Sequence, residues 1–305
     1  MKIAVMGDIH SNHIALETCI RHALDKEVDE FLFLGDYISD CPYPDRTMKV
    51  IYEMSQKYCC YFIRGNREDY MINHKNKPEE RWIYNSCSGN LLYTYDNLTK
   101  KDFNFFESID IQGIYQKEGY TPFRYCHGSL TSSNELLLPE NKNMESIMKN
   151  LDVNLLISGH THIQESRMYG NKKLIHPGSI GIPWYHGGKS QYMILHSIEK
   201  NKCNEKDKYN QVNTFENIQN IGWEEEFFQL DYDVNAVKEE FETCGLLKKA
   251  PYWAKLVIHD LETGNDLSVP CLQLALKLCR EEQGTVNWPD VPEKYWEMAF
   301  TEYIK

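Results

Sequence analysis

Asp8 and His10 stand one residue apart near the amino terminus, directly after Gly7 and the apolar residues 3–6. An apolar run this short, bounded by a glycine, is typical of a strand that is buried on both faces. A carboxylate and an imidazole at the end of such a strand indicate a metal site at the carboxyl edge of a sheet. Because Asp-x-His also occurs by chance, the hypothesis depends on whether later strands end in matching ligands.

Four later apolar runs also end beside a glycine and a side chain that can bind a metal. These side chains are Asp36, Asn66, His127 and the pair His160 and His162. Glycine lets the backbone turn sharply and approach an ion closely. A structural role could account for any one of these polar residues, but it accounts poorly for five such strand ends in order along one chain. The sequence therefore predicts that they meet around one site.

The ordered motifs resemble those of the calcineurin-like metallophosphoesterase family. The family's pattern is D-x-H, G-D, G-N-H-[DE], a histidine and G-H-x-H, and this chain has the blocks in that order with one substitution. The resemblance covers roughly residues 1–235 and is nearest to the small bacterial and archaeal, phosphodiesterase-like branch, as HSN at 10–12, HGS at 127–129 and HPGSIGIP at 176–183 indicate. It implies an α/β fold, a four-layer α/β/β/α sandwich of two mixed sheets flanked by helices.

The resemblance also implies a pair of metal ions. By position in the motifs, the first ion would be held by Asp8, His10 and His162, the second by Asn66, His127 and His160, and both would be bridged by Asp36. Mixed nitrogen and oxygen ligands suit divalent or trivalent Mn, Fe, Zn, Co or Ni, and fit a pure Ca or Mg site poorly. Two such ions can share a hydroxide, which would attack phosphorus in line with the leaving group without a covalent enzyme intermediate.

Arg67 is the one departure from the family pattern, because it stands where a histidine is usual. An arginine stays protonated, so it cannot act as a general acid, but its planar fork can bind a phosphate. We therefore expect Arg67 to bind the substrate and to act with Asp36 in catalysis. Such a site should favour esters with good leaving groups. The departure also weakens any assignment to the protein-phosphatase branch.

The expected function is that of a di-metal phosphoesterase, and within that class a phosphodiesterase acting on a small phosphate ester. A phosphomonoesterase, a dinucleotide-polyphosphate hydrolase and a protein phosphatase remain alternatives. Outside the class, the fold could serve as a non-catalytic interaction scaffold, as in the retromer subunit that resembles these enzymes. Scaffolds of that kind tend to have lost metal ligands, whereas every ligand position is filled in this chain.

The elements that must position these residues follow from the spacing of the apolar side chains. A helical stripe over 13–25 precedes an apolar strand at 30–34. A right-handed crossover between two parallel strands leaves their carboxyl ends on one side of the sheet. The βαβ unit is therefore expected to bring Asp8, His10 and Asp36 to the same edge.

Further along the chain, residues 68–109 are predicted to form a mostly helical insert that covers the site. The polar stretch 200–220 is predicted to be an exposed hairpin loop. The catalytic domain is expected to span 1–235, with 236–305 as a helical extension that buttresses it, in preference to a dimerisation element or a lid. His13, His176 and His186 match no ligand block. They are expected to be ordinary polar or loop residues or, for one of them, a residue that lines the pocket.

Composition narrows the function classes further. The chain has 305 residues and a formal net charge of -12, which argues against binding of a nucleic-acid polymer because phosphate contacts need a basic surface. A nucleotide stays a candidate substrate, since metal ions can neutralise its phosphate locally. The ten cysteines include no C-x-x-C pair and fit a reducing compartment, so a cytoplasmic location is expected. No signal peptide and no apolar run of about 20 residues is present, so we expect no membrane association. The oligomeric state is left open.

Overall fold

The computed structural model describes residues 1–77, 79, 81–199, 221–286 and 288–304. The stretch 200–220, predicted to be an exposed loop, lies outside the described residues. The described strands form two five-stranded mixed sheets. In chain order they are β1 (Lys2–Met6), β2 (Glu30–Phe33), β3 (Cys59–Phe62), β4 (Gln112–Tyr115), β5 (Phe123–Cys126), β6 (Leu155–Ser158), β7 (Gln164–Tyr169), β8 (Lys172–Pro177), β9 (Ser190–Glu199) and β10 (Ile221–Leu230).

The first sheet has the strand order β10-β9-β1-β2-β3. Strands β1, β2 and β3 are parallel, with Val5 opposite Leu32, whereas β9 pairs antiparallel with both β1 and β10. Helix α1 (His13–Asp25) connects β1 to β2, as the apolar stripe predicts. Its first turn is capped by Asn12, whose side chain accepts a hydrogen bond from the Ala15 amide at 3.1 Å. This unit holds the carboxyl ends of β1 and β2 at one edge of the sheet.

The second sheet has the order β4-β5-β6-β8-β7. Strands β5, β6 and β8 are parallel, and the edge strands β4 and β7 are antiparallel to their neighbours. The ends of β5 and β6 therefore also lie at one edge. The remaining helices are α2 (Pro44–Lys57), α3 (Asn66–Asn76), α4 (Gly89–Asp96), α5 (Lys100–Ser108), α6 (Met144–Asn150), α7 (Val234–Thr243), α8 (Leu246–Lys249), α9 (Pro251–Thr263), α10 (Ser268–Gln283) and α11 (Glu293–Tyr303).

Strand β1 is apolar along its length because it is buried on both faces. Ile3 and Val5 pack between the two sheets in a cluster that includes Phe123 of β5. Ala4 and Met6 point the other way, into a cluster with the helices that cover the first sheet. Helix α6 covers the outer face of the second sheet. The predicted α/β sandwich of two mixed sheets flanked by helices is confirmed.

Residues 68–109 are mostly helical, as predicted, but they do not cover the site. Thr99 and Asp102 form a capping box at the start of α5, in which the Asp102 carboxylate accepts from the Thr99 amide at 2.7 Å. Phe103 and Phe106 are buried in the same cluster as Ala4 and Met6. These phenylalanines thus pack on the outer face of the first sheet, whereas Tyr93 of α4 packs with the carboxy-terminal helices.

The carboxy-terminal helices make two apolar clusters. Helices α7 to α9 bury Phe241 and Val257 against Ile182, which precedes β9. Helices α10 and α11 pack around Trp296, which is fully buried. The segment from residue 234 onward therefore packs against the strand-end loops as well as on itself. Among the described residues, no helix combines the length and the apolarity that crossing a membrane would require.

Candidate metal centre

The predicted metal ligands lie in the loops that follow four strands and at the first residue of α3, after β3. Asp8 and His10 follow β1, Asp36 follows β2, His127 follows β5, and the pair His160 and His162 follows β6. Asn66 begins α3. Both sheets contribute strand ends to the same edge, so residues about 150 positions apart in the chain meet there. The His160 amide nitrogen lies 3.0 Å from Asp8 Oδ2, and His10 Nε2 lies 3.0 Å from His162 Nε2.

The first cluster contains Asp8, His10 and His162, each of which offers a ligand atom within 4.8 Å of the others. The Nε2 atoms of His10 and His162 are 3.0 Å apart. Asp8 Oδ1 lies 3.5 Å from His162 Nε2. This is the group that the family motifs assign to the first ion.

The second cluster contains Asp36, His127 and His160, again within 4.8 Å of one another. Asn66 joins it, because its Oδ1 lies 3.0 Å from His127 Nε2. Asp36 stands between the two clusters. Its Oδ2 is 3.6 Å from His10 Nε2, and its Oδ1 is 3.4 Å from His127 Nε2. One carboxylate can therefore reach both clusters, which is the position expected of a bridging ligand.

Backbone carbonyl groups fix the orientation of two imidazoles. His127 Nδ1 lies 2.7 Å from the Leu34 carbonyl oxygen, and His162 Nδ1 lies 2.7 Å from that of Ile182. A carbonyl oxygen only accepts, so each Nδ1 carries a proton and donates it, and each Nε2 faces a carboxylate of the site, at 3.4 Å from Asp36 for His127 and 3.5 Å from Asp8 for His162. In both rings Nε2 therefore faces the cluster while Nδ1 donates to the backbone, which is the orientation that metal-binding histidines commonly have.

The buried carboxylates of the site are stabilised by positive charge beside them. Asp8 and Asp36 are at most 1% exposed. Burial disfavours the charged form of Asp36, but His127, His10 and Arg67 outweigh it and hold the pKa of Asp36 below its usual value. Burial also opposes protonation of His127, yet the Asp36 carboxylate raises the pKa of that imidazole to about 10. Buried carboxylates that draw protons onto neighbouring imidazoles fit a site built for cations, and the mixed donors suit transition-metal ions.

A sequence model of the calcineurin-like phosphoesterase family matches residues 1–164, more than half of the chain. The chain belongs to that family. Calcineurin-like phosphoesterases are metal-dependent phosphoester hydrolases, and the two clusters supply candidate ligands for such metals. The matched region ends just after His162, so it contains every predicted ligand.

Other proteins resemble this phosphoesterase in sequence and fold. An uncharacterised protein of Methanocaldococcus jannaschii is 24% identical over 211 residues, covering 63% of this chain and 82% of its own. A metallophosphoesterase from Sphaerobacter thermophilus has a TM-score of 0.62 at 17% identity, covering 87% of this chain and all of its own. A hypothetical protein from Pyrococcus horikoshii has a TM-score of 0.66 at 18% identity, covering 87% of this chain and 99% of its own. At these identities the solved structures establish the fold alone.

Several of the candidate ligands adopt a left-handed backbone conformation that residues other than glycine rarely take. The φ angles of Asp8, His10, Asp36, His160 and His162 lie between 49° and 67°. Each such residue costs on the order of 1–3 kcal/mol, and residues of this kind cluster at functional sites. The surrounding structure must therefore stabilise the strand-end loops strongly.

Close packing of the loops around Asp36 explains two of the glycines in the motifs. Gly35 has a φ of 88°, and a Cβ on Gly65 would lie 2.1 Å from Asp36 Oδ1. Glu68, buried in the first turn of α3, ties the same loops together, since its carboxylate accepts from the amides of Gly65 at 2.7 Å and Asp36 at 2.9 Å. The motif contains Glu68, but its sequence position alone assigned it no role.

Arg67 lies at the edge of the second cluster and faces two carboxylates. Its Nη2 is 3.0 Å from Asp40 Oδ2, and its Nε is 4.0 Å from Asp36 Oδ2. Its side chain is 21% exposed, so the guanidinium can still meet a bound ligand. Arg67 therefore lies beside the predicted metal ligands.

Asp40 is a site residue that the sequence motifs missed. Its Oδ2 lies 3.0 Å from His10 Nδ1 and 3.0 Å from Arg67 Nη2. Its Oδ1 accepts hydrogen bonds from Asn90 Nδ2 and Trp253 Nε1, both at 2.8 Å. Asp40 therefore orients a metal ligand and the arginine together. Its signal in the sequence was slight: an acidic residue four positions after Asp36, in the loop that follows β2.

The pocket above the ligands is a cavity of about 190 Å³. None of the described residues from 69 to 109 lines it, so the expectation that this insert covers the site is wrong. The cover comes from the carboxy-terminal helices instead, because α9 packs against the strand-end loops. The residues of this segment that line the pocket are Trp253, Val257, Asp260, Asp266, Ser268 and Val269.

His13, His176 and His186, which match no ligand block, do not line the pocket. His176 is buried, with Nδ1 2.8 Å from the Ser158 carbonyl oxygen and Nε2 3.0 Å from that of Leu137. His13 pairs with Glu240, 3.0 Å from its Nε2. His186 is exposed. None of them is among the described pocket-lining residues, so their predicted status as ordinary polar residues agrees with the structure.

Proposed function

We propose that this protein is a di-metal-dependent phosphodiesterase that hydrolyses a small phosphate ester. The observation that carries the proposal is that Asp36 reaches both ligand clusters, at 3.6 Å from His10 Nε2 and 3.4 Å from His127 Nε2. Two separate metal sites would not need a shared carboxylate. The orientation of His127 and His162 also supports the proposal, since each Nδ1 donates to a backbone carbonyl and each Nε2 faces a carboxylate, as is common in metal-binding histidines.

Two ions of Mn, Fe, Zn, Co or Ni fit the donor set, which contains carboxylate, amide and imidazole groups. The first would be held by Asp8, His10 and His162, the second by Asn66, His127 and His160, with Asp36 between them. Bound ions of this kind supply a hydroxide at neutral pH and stabilise negative charge on phosphoryl oxygens. The protein's part is to hold the ligands in one arrangement within a buried site.

Arg67 is proposed to bind a phosphoryl oxygen of the substrate. Its guanidinium is always charged and presents several donors in a plane, which suits a tetrahedral phosphate. The contact with Asp40 at 3.0 Å fixes its direction. Because Arg67 cannot donate a proton, the leaving group must depart without help from this residue, and esters with good leaving groups are expected to react fastest.

The size of the pocket supports a small substrate over a macromolecule. A cavity of about 190 Å³ is below the roughly 300–1,000 Å³ typical of sites for drug-sized ligands. It leaves little room for a protein segment, which weighs against a protein phosphatase. The convergence of all seven ligand positions also weighs against a non-catalytic scaffold, since a scaffold has no need of them.

The catalytic unit is proposed to include more than residues 1–235. The extension 236–305 packs on the core through α7 to α9, and Trp253 and Val257 line the pocket.

The nine described cysteines are all free thiols, in keeping with the proposed cytoplasmic location.

Hydrolysis of bis-p-nitrophenyl phosphate tests the proposal. Protein that has been stripped with EDTA and reloaded with Mn should hydrolyse this diester, and should do so at a higher kcat/KM than it hydrolyses p-nitrophenyl phosphate. A preference for the monoester would make the protein a phosphomonoesterase. A metal-loaded protein that is inert toward both esters would support the scaffold alternative.

A further inference from the structure

The two sides of the pocket differ in chemistry. The floor carries the metal ligands and Arg67, whereas the opposite wall is built by the carboxy-terminal helices together with Trp184. That wall presents two indoles, Trp184 and Trp253, and two acidic side chains, Asp260 and Asp266. A substrate whose phosphate lies on the metal ligands must place its organic group against this wall.

The wall is held in a fixed position relative to the floor. Trp253 Nε1 donates to Asp40 Oδ1 at 2.8 Å, and Asp40 in turn lies 3.0 Å from both His10 and Arg67. The Asp40 side chain is 1% exposed, so this contact is shielded from water. Helix α9 is thus connected to the metal ligands through one buried carboxylate.

The charge of the pocket disfavours a second anionic group on the substrate. Arg67 is the one lysine or arginine among the described lining residues, and Asp40 and Asp36 already face it. The Asp260 side chain is almost fully buried, and burial and the neighbouring Asp266 raise its pKa to about 9. A second phosphate would therefore meet a carboxylate and no free cation.

We propose that this wall selects phosphate esters whose organic group is small and cationic, that is, esters of amino or quaternary ammonium alcohols. The inference rests on the proposed function, because it uses the phosphate position that the metal site provides. Indole faces and a carboxylate are the groups that attract an organic cation in proteins. Nucleotide polyphosphates are excluded by the same wall.

Asp260 and Asp266 also accept hydrogen bonds from backbone amides, and the variants used in the test must keep these bonds. Asp266 Oδ1 accepts from the Ser268 amide at 2.8 Å at the start of α10, and Asp260 Oδ1 accepts from the Leu267 amide at 3.3 Å. Asparagine keeps an oxygen acceptor for both contacts and removes the charge. The double variant Asp260→Asn with Asp266→Asn is therefore the change of choice.

Calorimetric titration of the Mn-loaded full chain compares three phosphate monoesters. Phosphocholine is cationic, 3,3-dimethylbutyl phosphate is its uncharged isostere, and 3-phosphoglycerate carries an additional carboxylate. We expect phosphocholine to bind at least about tenfold more tightly than the isostere, with 3-phosphoglycerate the weakest ligand. In the double variant the difference between phosphocholine and the isostere should fall below about threefold.

Glu262→Gln is the matched control, because Glu262 lies on the same helix, is exposed, and pairs with Lys238 outside the pocket. This variant should keep the wild-type preference. The inference would be overturned if the wild type bound phosphocholine and the isostere equally. It would also be overturned if the double variant kept the wild-type preference for phosphocholine. If hydrolysis of bis-p-nitrophenyl phosphate persists in that case, the proposed function stands alone; if no ester binds or reacts, both fall.

Discussion

The floor and the wall of the pocket come from different parts of the chain and differ in construction. The floor is made of short loops at strand ends, where ligands such as Asp8 and Asp36 adopt left-handed backbone angles and are almost fully buried. The wall consists of α9, the start of α10 with the turn before it, and Trp184, which precedes β9. Reactivity thus depends on a rigid sheet edge, whereas selection of the organic group depends on an element packed onto it.

The largest expected effect comes from the floor. Replacing Asp36 with asparagine removes the charge of a carboxylate that lies between the two clusters, while the side chain keeps its size. We expect the rate of bis-p-nitrophenyl phosphate hydrolysis to fall at least about 10³-fold. The fold should be retained, as checked by far-ultraviolet circular dichroism and thermal unfolding.

Asp45→Asn is the matched control for this change, since Asp45 is exposed in the first turn of α2. It should leave the rate within about twofold, as surface changes usually do. Full turnover by the Asp36→Asn protein would remove Asp36 from the role of bridging ligand.

Arg67→Ala is expected to act on the substrate and to spare the metals. Loss of charge-assisted hydrogen bonds to a phosphoryl oxygen should lower kcat/KM about 10- to 100-fold. Metal content should stay at the wild-type level, because the guanidinium is not a ligand. Steady-state kinetics together with metal analysis checks both statements.

Arg124→Ala is the control for the loss of a guanidinium. Arg124 pairs with Asp152 at 2.5 Å and does not line the pocket. An Arg67→Ala protein with unchanged KM and kcat would show that Arg67 only balances the charge of Asp40.

A smaller effect is expected where the wall meets the floor. Trp253→Phe removes the hydrogen bond to Asp40 and should lower metal affinity and kcat/KM about tenfold, as changes to the partners of metal ligands commonly do. Trp296→Phe is the comparison, because Trp296 Nε1 contacts Cys87 Sγ at 3.4 Å, away from the ligands. Calorimetric Mn binding should separate the two: Trp296→Phe is expected to lower stability and leave Mn affinity unchanged. If Trp253→Phe and Trp296→Phe bound Mn with equal affinity, the proposed link from Trp253 through Asp40 to the metal ligands would be contradicted.

The smallest effect is expected for a histidine outside the motifs. His186 is exposed and belongs to neither cluster. His186→Ala should keep kcat/KM for bis-p-nitrophenyl phosphate within about twofold of the wild type. A loss of more than tenfold would mean that the floor extends beyond the residues that the motifs identify.

The floor could be predicted from the sequence because its ligands lie within a few residues of strand ends. A buried strand such as β1 has a recognisable apolar run, and a ligand that follows it must lie at the sheet edge. Asp8, Asp36 and His127 were found in this way, and helix α1 followed from its apolar stripe.

The wall could not be predicted in the same way. Which face α9 turns toward the pocket depends on packing between segments some 200 residues apart, as in the contact of Trp253 with Asp40. An amphipathic pattern predicts that a helix is partly buried, but it does not identify the surface that buries it. For the same reason the pocket cover could not be assigned to the right segment: the phenylalanines of 68–109 predict burial, but they pack on the first sheet and do not line the pocket.

The central claim is that seven side chains from both sheets hold two metal ions. Inductively coupled plasma mass spectrometry of the Mn-reconstituted protein, after removal of unbound metal, tests it most directly. The account predicts about two Mn ions per chain in the wild type and fewer in Asp36→Asn. A fully active wild-type protein that retains no ion, or only one, would contradict it.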